Sequence, residues 1–435
     1  MLRVSIREAV PGMRLAMPVY HPRRGGPVLL KSGVALDDRL IQRLREIELR
    51  EIWIHYPGMG FMGQFVSPAI LQARAELGHQ VLTALDCVAA NAEAKLDYAA
   101  YKRAIVGLVE QLLRAPAAAY YVEELSMPDT PHGRHANAVC FLSLVMGLKL
   151  GDYLIAERSR LHASHAKDVT SLGVGAMLHD VGMLRLPVPT LQKWNREHDE
   201  TDPHWQRHVK LGFDMVRNGI DPSAAAVVLH HHQAFDGSGF PRRKLLGGGS
   251  APLAGQEIHV FSRIVALADA FDRLRDSGDA PGADSMPQKK RPTVSALREL
   301  VLGDSAAKFD PMAIRALVAS VPAYSPGSLV TLNTGVQAVV CNWRTDDPCR
   351  PRVLPIQDLS QAIDADEPRT AVLDSTIEPP GIIDLASTPD AYIAQAEGFD
   401  VSDENFLLPY AGAYDLRKAD KERINRAETL GTSQL

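Results

Sequence analysis

Val174-Gly175-Ala176-Met177-Leu178-His179-Asp180-Val181-Gly182 runs from an apolar stretch directly into an imidazole and a carboxylate. Gly175 and Gly182 permit a close approach of neighbouring helices. His179 and Asp180 therefore stand at or near a helical core, and buried groups of this kind need partners, because desolvating a lone carboxylate is very costly.

Working outward, the same situation recurs. His135, Val139, Leu142 and Met146 are spaced i, i+4, i+7 and i+11, which puts His135 on the apolar face of a helix. His208, Leu211 and Met215 share another face. His231 and His232 end the apolar run Ala224–Leu229, and Asp269 lies four residues after Val265 in the run Phe261–Ala268. One inward histidine is ordinarily a satisfied core residue. Inward His and Asp residues on several helices of one bundle point to a metal site instead. Imidazole and carboxylate without thiolate suit Fe, Mn, Co, Ni or Zn and disfavour Ca. The adjacent pair His179-Asp180 suggests a dinuclear site, in which one carboxylate bridges two ions ~3.5–4 Å apart. Two such ions activate a bridging water and neutralise a phosphodiester.

Bulk properties fit this reading. The chain has 435 residues, enough for two or three domains, and 46% hydrophobic and 23% charged residues, as in ordinary globular proteins. A net charge of −5 argues against broad binding to a nucleic acid polymer or an anionic membrane, so a phosphate-bearing ligand needs a local site. Cys87, Cys140, Cys341 and Cys349 form no CxxC pair and suit free thiols in a reducing compartment. Met1–Arg14 has no signal-peptide pattern, and the apolar stretch Ala138–Leu148 is too short for a bilayer. A cytoplasmic protein is expected.

We divide the chain into an N-terminal accessory α/β module (1–66), an Ala/Leu-rich helical connector or dimerisation segment (67–125), a mostly helical domain (126–321), a small β module (322–372) and a polar C-terminal tail (373–435).

The order of these residues is similar to that of the HD-GYP family. His135 comes first, then His179-Asp180 in LHDVG, His208, His231-His232, and Asp269 in IVALADAFD. The family's hallmark loop HHExxDGxGYP stands here as His231-His232-Gln233-Ala234-Phe235-Asp236-Gly237-Ser238-Gly239-Phe240-Pro241. Phe309-Asp310-Pro311 also fits, and the first block resembles the module that often precedes such domains. The resemblance implies a mainly α fold, an HD-type helical bundle with a small N-terminal α/β module and a small C-terminal β module. It implies two divalent transition metal ions, Fe or Mn, with His135, His179, Asp180 and Asp269 on one side and His208, His231 and His232 on the other. Asp180 would bridge them and be the catalytic residue. The substrate it implies is cyclic di-GMP, hydrolysed to pGpG or GMP in second-messenger signalling, with GGDEF-type or other signalling proteins as partners, and a homodimer is an expectation.

Several positions depart from the family pattern. Its HDxGK lysine is Met183, with Arg185 a candidate substitute. The Glu of HHE is Gln233, the Tyr of GYP is Phe240, and the segment after Asp272 lacks an RPYR-like pattern. Pro131 stands where some members carry a third-metal Glu, so two metals are expected, with His132 at an exposed helix start. Candidate substrate contacts are Arg185, Asp236, Gly237, Arg242 and Arg243, the last two as phosphate or guanine contacts at a cleft mouth. The alternatives to an active phosphodiesterase are a catalytically degenerate module that binds cyclic di-GMP or partner proteins, and a phosphohydrolase for another nucleotide.

Overall fold

Leu2 and Val4 point inward and Arg3 and Ser5 lie at the rim, the period-two pattern of a half-buried strand. This strand (β1, Leu2–Ser5) opens a computed structural model that describes residues 1–20, 28–47, 49, 51–65, 67–90, 97–115, 131–245, 247–276, 291–356 and 380–409. Strands β2 (Val19–Tyr20) and β3 (Val28–Leu30) pair with each other. Helix α1 (Asp38–Glu46) starts at Asp37, whose carboxylate accepts from Leu40 N, and buries Ile41 and Leu44. Strand β4 (Glu51–Ile54) returns antiparallel to β1.

Helices α2 (Pro68–Ala90) and α3 (Tyr98–Arg114) follow. The stretch read as a connector does not stand apart: α2 packs on α4 (Pro131–Lys149) and α3 on α7 (Thr170–Leu178), after the short helices α5 (Gly151–Glu157) and α6 (Ala163–Ala166). The reason is apolar area, since Tyr101, Ile105, Leu108 and Leu112 form one buried stripe on α3. The expected start of the helical domain at 126 lies outside the described residues.

Helix α7 is buried on every side from Leu172 to Leu178, and α3, α4 and α10 (Pro222–His230) surround it. A short 3₁₀ turn, Val181–Arg185, leads to α8 (Val188–Glu197) and α9 (Arg207–Val216). An exposed hairpin joins β5 (Arg243–Lys244) to β6 (Ser250–Ala251). Helix α11 (Val260–Arg275) packs along α4 and touches α12 (Thr293–Leu302) and α13 (Pro311–Val318). The fold is mainly α, as expected.

The C-terminal sheet is larger than its sequence boundary. Strands β7 (Leu329–Leu332), β8 (Gln337–Asn342) and β9 (Arg352–Pro355) are joined by β10 (Ile383–Asp384), β11 (Ile393–Ala396) and β12 (Phe399–Asp400) in the order β10-β9-β8-β7-β11-β12. For the described residues 380–409 the reading as a tail is therefore corrected, and the rest of 373–435 lies outside the described residues. The strands of 380–409 are short and weakly alternating, and their pairing to β7 and β9 fixes them. Among the described residues no single helix is long and apolar enough to cross a membrane.

Candidate metal centre

Each candidate ligand sits at a different helix position. His135 is on α4, His179 ends α7, Asp180 opens the 3₁₀ turn, His208 lies in α9, His231 and His232 follow α10, and Asp269 is in α11. The fold brings all seven together. Asp180, His208, His231 and His232 form one group able to hold a metal ion, and His135, His179 and Asp269 form a second; within each, the ligand atoms lie within 4.8 Å of one another.

The backbone orients the rings. His179 Nδ1 donates to Ala176 O at 2.7 Å, His208 Nδ1 to Trp205 O at 2.7 Å, and His231 Nδ1 to Val228 O at 3.1 Å. In each case the bond fixes the tautomer and turns the Nε2 lone pair into the site. His135 is held between two carboxylates, its Nδ1 2.7 Å from Asp272 Oδ2 and its Nε2 2.9 Å from Asp269 Oδ1. His232 Nε2 and Asp180 Oδ1 are buried without a hydrogen-bond partner. Buried polar atoms left in this way, within a set of N and O donors, fit divalent transition metal ions.

Asp180 divides its two oxygens. Oδ1 lies 3.3 Å from His208 Nε2 and 3.5 Å from His231 Nε2, whereas Oδ2 lies 3.6 Å from His179 Nε2 and 3.8 Å from His135 Nε2. Gly182 makes the first pair possible: a Cβ there would stand 2.0 Å from His208 O and 2.5 Å from Gly212 N. Only a glycine lets α9 come close enough to deliver His208.

Electrostatics follow burial and charge. Burial carries the pKa of His179 down to about 3 and that of His208 to about 4, and it holds His232 well below the usual range. Burial also acts against the charged form of His135, but hydrogen bonds to Asp269 and Asp272 carry it up to about 10. Asp180 stays well below the usual carboxylate range: burial opposes this, and His179, His231 and Arg273 outweigh it.

Arg273 and Asp272 were not found in the sequence as part of the site. Arg273 places Nε 2.7 Å from Asp269 Oδ1 and Nη2 3.1 Å from Asp180 Oδ2. Asp272 braces His135. His132, expected at an exposed helix start, is partly buried and lies near Asp180. The α11 spacing held a signal for Arg273, which is one helical turn after Asp269.

The loop His231–Pro241 is held from within. Gln233 Nε2 donates to Pro241 O, and Phe240 N to His232 O at 3.1 Å. Gly239 has no room for a Cβ, which would stand 2.2 Å from Ala234 N. Asp236 Oδ1 accepts from Ser238 N and Oγ at 2.8 and 2.6 Å, so it builds the turn, and Gly237 takes φ +83° there. Arg242 and Arg243 are exposed beside the hairpin, Arg242 bonding Ser250 and Arg243 pairing Glu257 at 3.5 Å. Arg185 ends the 3₁₀ turn and is half-buried. Met183 is buried with Leu186, Trp194 and Trp205 in a small apolar cluster beside the site.

Residues 152–312 match the family model described as HD domain. Over that span the chain is similar to HD domains. Among similar proteins, "Cyclic di-GMP phosphodiesterase PA4108" of Pseudomonas aeruginosa is 27% identical over 75% of this chain and 78% of that protein. "Cyclic di-GMP phosphodiesterase response regulator RpfG" of Xanthomonas campestris pv. campestris is 28% identical over 38% of this chain and 39% of its own. "3'3'-cGAMP-specific phosphodiesterase 2" of Vibrio cholerae is 32% identical over 29% and 24% respectively. Two of the seven candidate ligands in these groups, His135 on α4 and Asp269 on α11, frame the HD-domain histidines, and His135 precedes the matched span.

Proposed function

We propose that the HD domain is a metal-dependent phosphodiesterase that hydrolyses cyclic di-GMP to pGpG or GMP and uses two divalent ions, Fe or Mn. The observation that carries this reading is the division of Asp180, one oxygen toward His208 and His231 and the other toward His135 and His179. A carboxylate so placed suits the bridge of a dinuclear site. When bound, two ions would lower the pKa of a shared water and offset the charge of a phosphodiester.

The remaining roles belong to the chain. His135, His179 and Asp269 would hold one ion and His208, His231 and His232 the other. Asp272 and the carbonyls of Ala176, Trp205 and Val228 keep those rings in one tautomer. Trp205 and Phe240 wall the site beside His208 and His232, the Phe240 ring stacking on His232 with centroids 4.8 Å apart. That apolar wall limits water near the reacting bond and strengthens local charges. Of the candidate substrate contacts, Arg242, Arg243 and Arg185 supply cations for phosphate, while Asp236 and Gly237 act through the turn they form. Cyclic di-GMP is favoured because the names of two of the relatives above give it as their substrate; a different cyclic dinucleotide in the third relative's name makes a substrate panel necessary.

A second reading has one observation in its favour. Met183 puts a buried thioether, not a cation, two residues before Arg185 and three after Asp180. A module that binds metal and nucleotide without turnover would tolerate that. Metal content and cyclic di-GMP turnover measured on one anaerobic sample loaded with Fe or Mn separate the readings. Two metals per chain with pGpG or GMP produced is the expected result. Two metals with nucleotide bound but no product would establish the binding module.

A further inference from the structure

We propose that the two ligand groups fill in order, the Asp180–His208–His231–His232 group first, and that Arg273 is the resident cation an ion must displace to enter the His135–His179–Asp269 group. The inference rests on the metal-site reading above and adds to it an inequality between the two positions.

The asymmetry lies in the hydrogen bonds. Asp269 Oδ1, which lies 2.9 Å from His135 Nε2, also accepts from Arg273 Nε at 2.7 Å. Asp180 Oδ2, the oxygen that faces His135 and His179, accepts from Arg273 Nη2 at 3.1 Å. The guanidinium thus spans both carboxylates on that side, and its planar fork suits two acceptors at once. On the other side Asp180 Oδ1 and His232 Nε2 make no hydrogen bond. An ion entering there meets lone pairs already turned inward. An ion entering the first side must take two oxygens from a charged donor and stand beside a like charge.

Arg273 has somewhere to go. Its guanidinium carbon lies 5.4 Å from the centroid of the Trp194 ring, which stacks on Trp205 with centroids 4.0 Å apart. A cation over an indole face keeps a favourable contact when its carboxylates are withdrawn. The side chain is 23% exposed, so it can swing without unpacking the core.

The test is a titration of the chelator-stripped full chain with Mn²⁺ alone, followed by calorimetry and by manganese content. The wild-type chain should bind in two steps, the second at least about tenfold weaker, as loss of charge-assisted hydrogen bonds implies. Arg273→Ala should tighten the second step by about tenfold and change the first much less, since the guanidinium holds the two oxygens that face the second group. Arg273→Lys, which keeps the charge but loses the fork, should fall between the wild type and the alanine variant. Where the alanine variant does not fold, Arg273→Met keeps the stem and gives the same reading. Two equal steps in the wild type, or a second step no tighter in the alanine and methionine variants, overturns the inference and leaves the metal site standing. No Mn²⁺ bound by the folded wild type overturns both.

Discussion

Asp180 is the residue on which both ligand groups depend, because each of its oxygens faces a different one. Asp180→Ala should therefore reduce metal content below two per chain and abolish turnover; a variant that keeps two metals would sink the bridging assignment. Met183 invites a simple repair, since a lysine there would restore a cation near the site. Its surroundings argue otherwise. The side chain is 7% exposed and packed on Trp194 and Trp205, so Met183→Lys buries an ammonium without a partner. We expect destabilisation of about 2–4 kcal/mol and no gain in activity, checked by denaturant unfolding beside a turnover assay. Gln233 was legible as a departure from a glutamate, but not its reason. Its amide donates to Pro241 O, which a carboxylate cannot do. Gln233→Glu should loosen the loop at a cost of about 1–3 kcal/mol, visible as a lower unfolding midpoint and weaker metal binding.

At the scale of elements, the helices that carry candidate ligands were readable because their apolar periodicity names the inward face. His135 and His208 were placed by that spacing, and both lie at the site. What spacing does not contain is the distance between helices. The 3₁₀ turn after Asp180 meets α9 backbone to backbone at Gly182. Gly182→Ala should force the two apart by the width of a methyl group, against main chain that cannot yield as a side-chain tip would. We expect a loss of at least about 1–3 kcal/mol and a drop in metal affinity, with His208 drawn away. A variant with unchanged affinity would show that α9 reaches the site without this contact. The same limit hid Arg273, whose partner Asp180 is far away in sequence and arrives only when α7 packs beside α11.

For the whole molecule, stability links to pH through the same histidines. His179 and His208 are fully buried, with pKa values near 3 and 4. An unfolded chain protonates them near ~6.5, so below that pH the unfolded state binds more protons and stability falls. By pH 4 each contributes a loss of roughly 3 kcal/mol, taking ~1.4 kcal/mol per pH unit. His135 acts in the opposite sense: with its pKa raised to about 10, its contribution is full below ~6.5 and is lost as pH rises through about 10. The metal-stripped protein should melt highest near neutral pH and lower on both sides. A flat profile from pH 4 to 10 would contradict this origin of its stability. The modules are also joined. Arg3 N donates to Gly327 O at 2.9 Å, and Gly327, at φ +82°, leaves no room for a Cβ beside the Trp53 ring. The N-terminal strands thus dock on the C-terminal sheet, a contact between the two ends of the described chain.

The sequence alone determined the helical bundle, its family likeness and the candidate ligand types, because a buried His or Asp among apolar residues leaves a local trace in spacing and composition. It did not determine where the C-terminal sheet ends, since strands as short as Ile383–Asp384 and Phe399–Asp400 are defined by their partners and not by their own residues. Nor did it determine that Asp180 faces two ways, that Asp272 braces His135, or that Arg273 lies across the two carboxylates. Those are relations between side chains on different helices, and only the packing that closes the interhelical distance creates them.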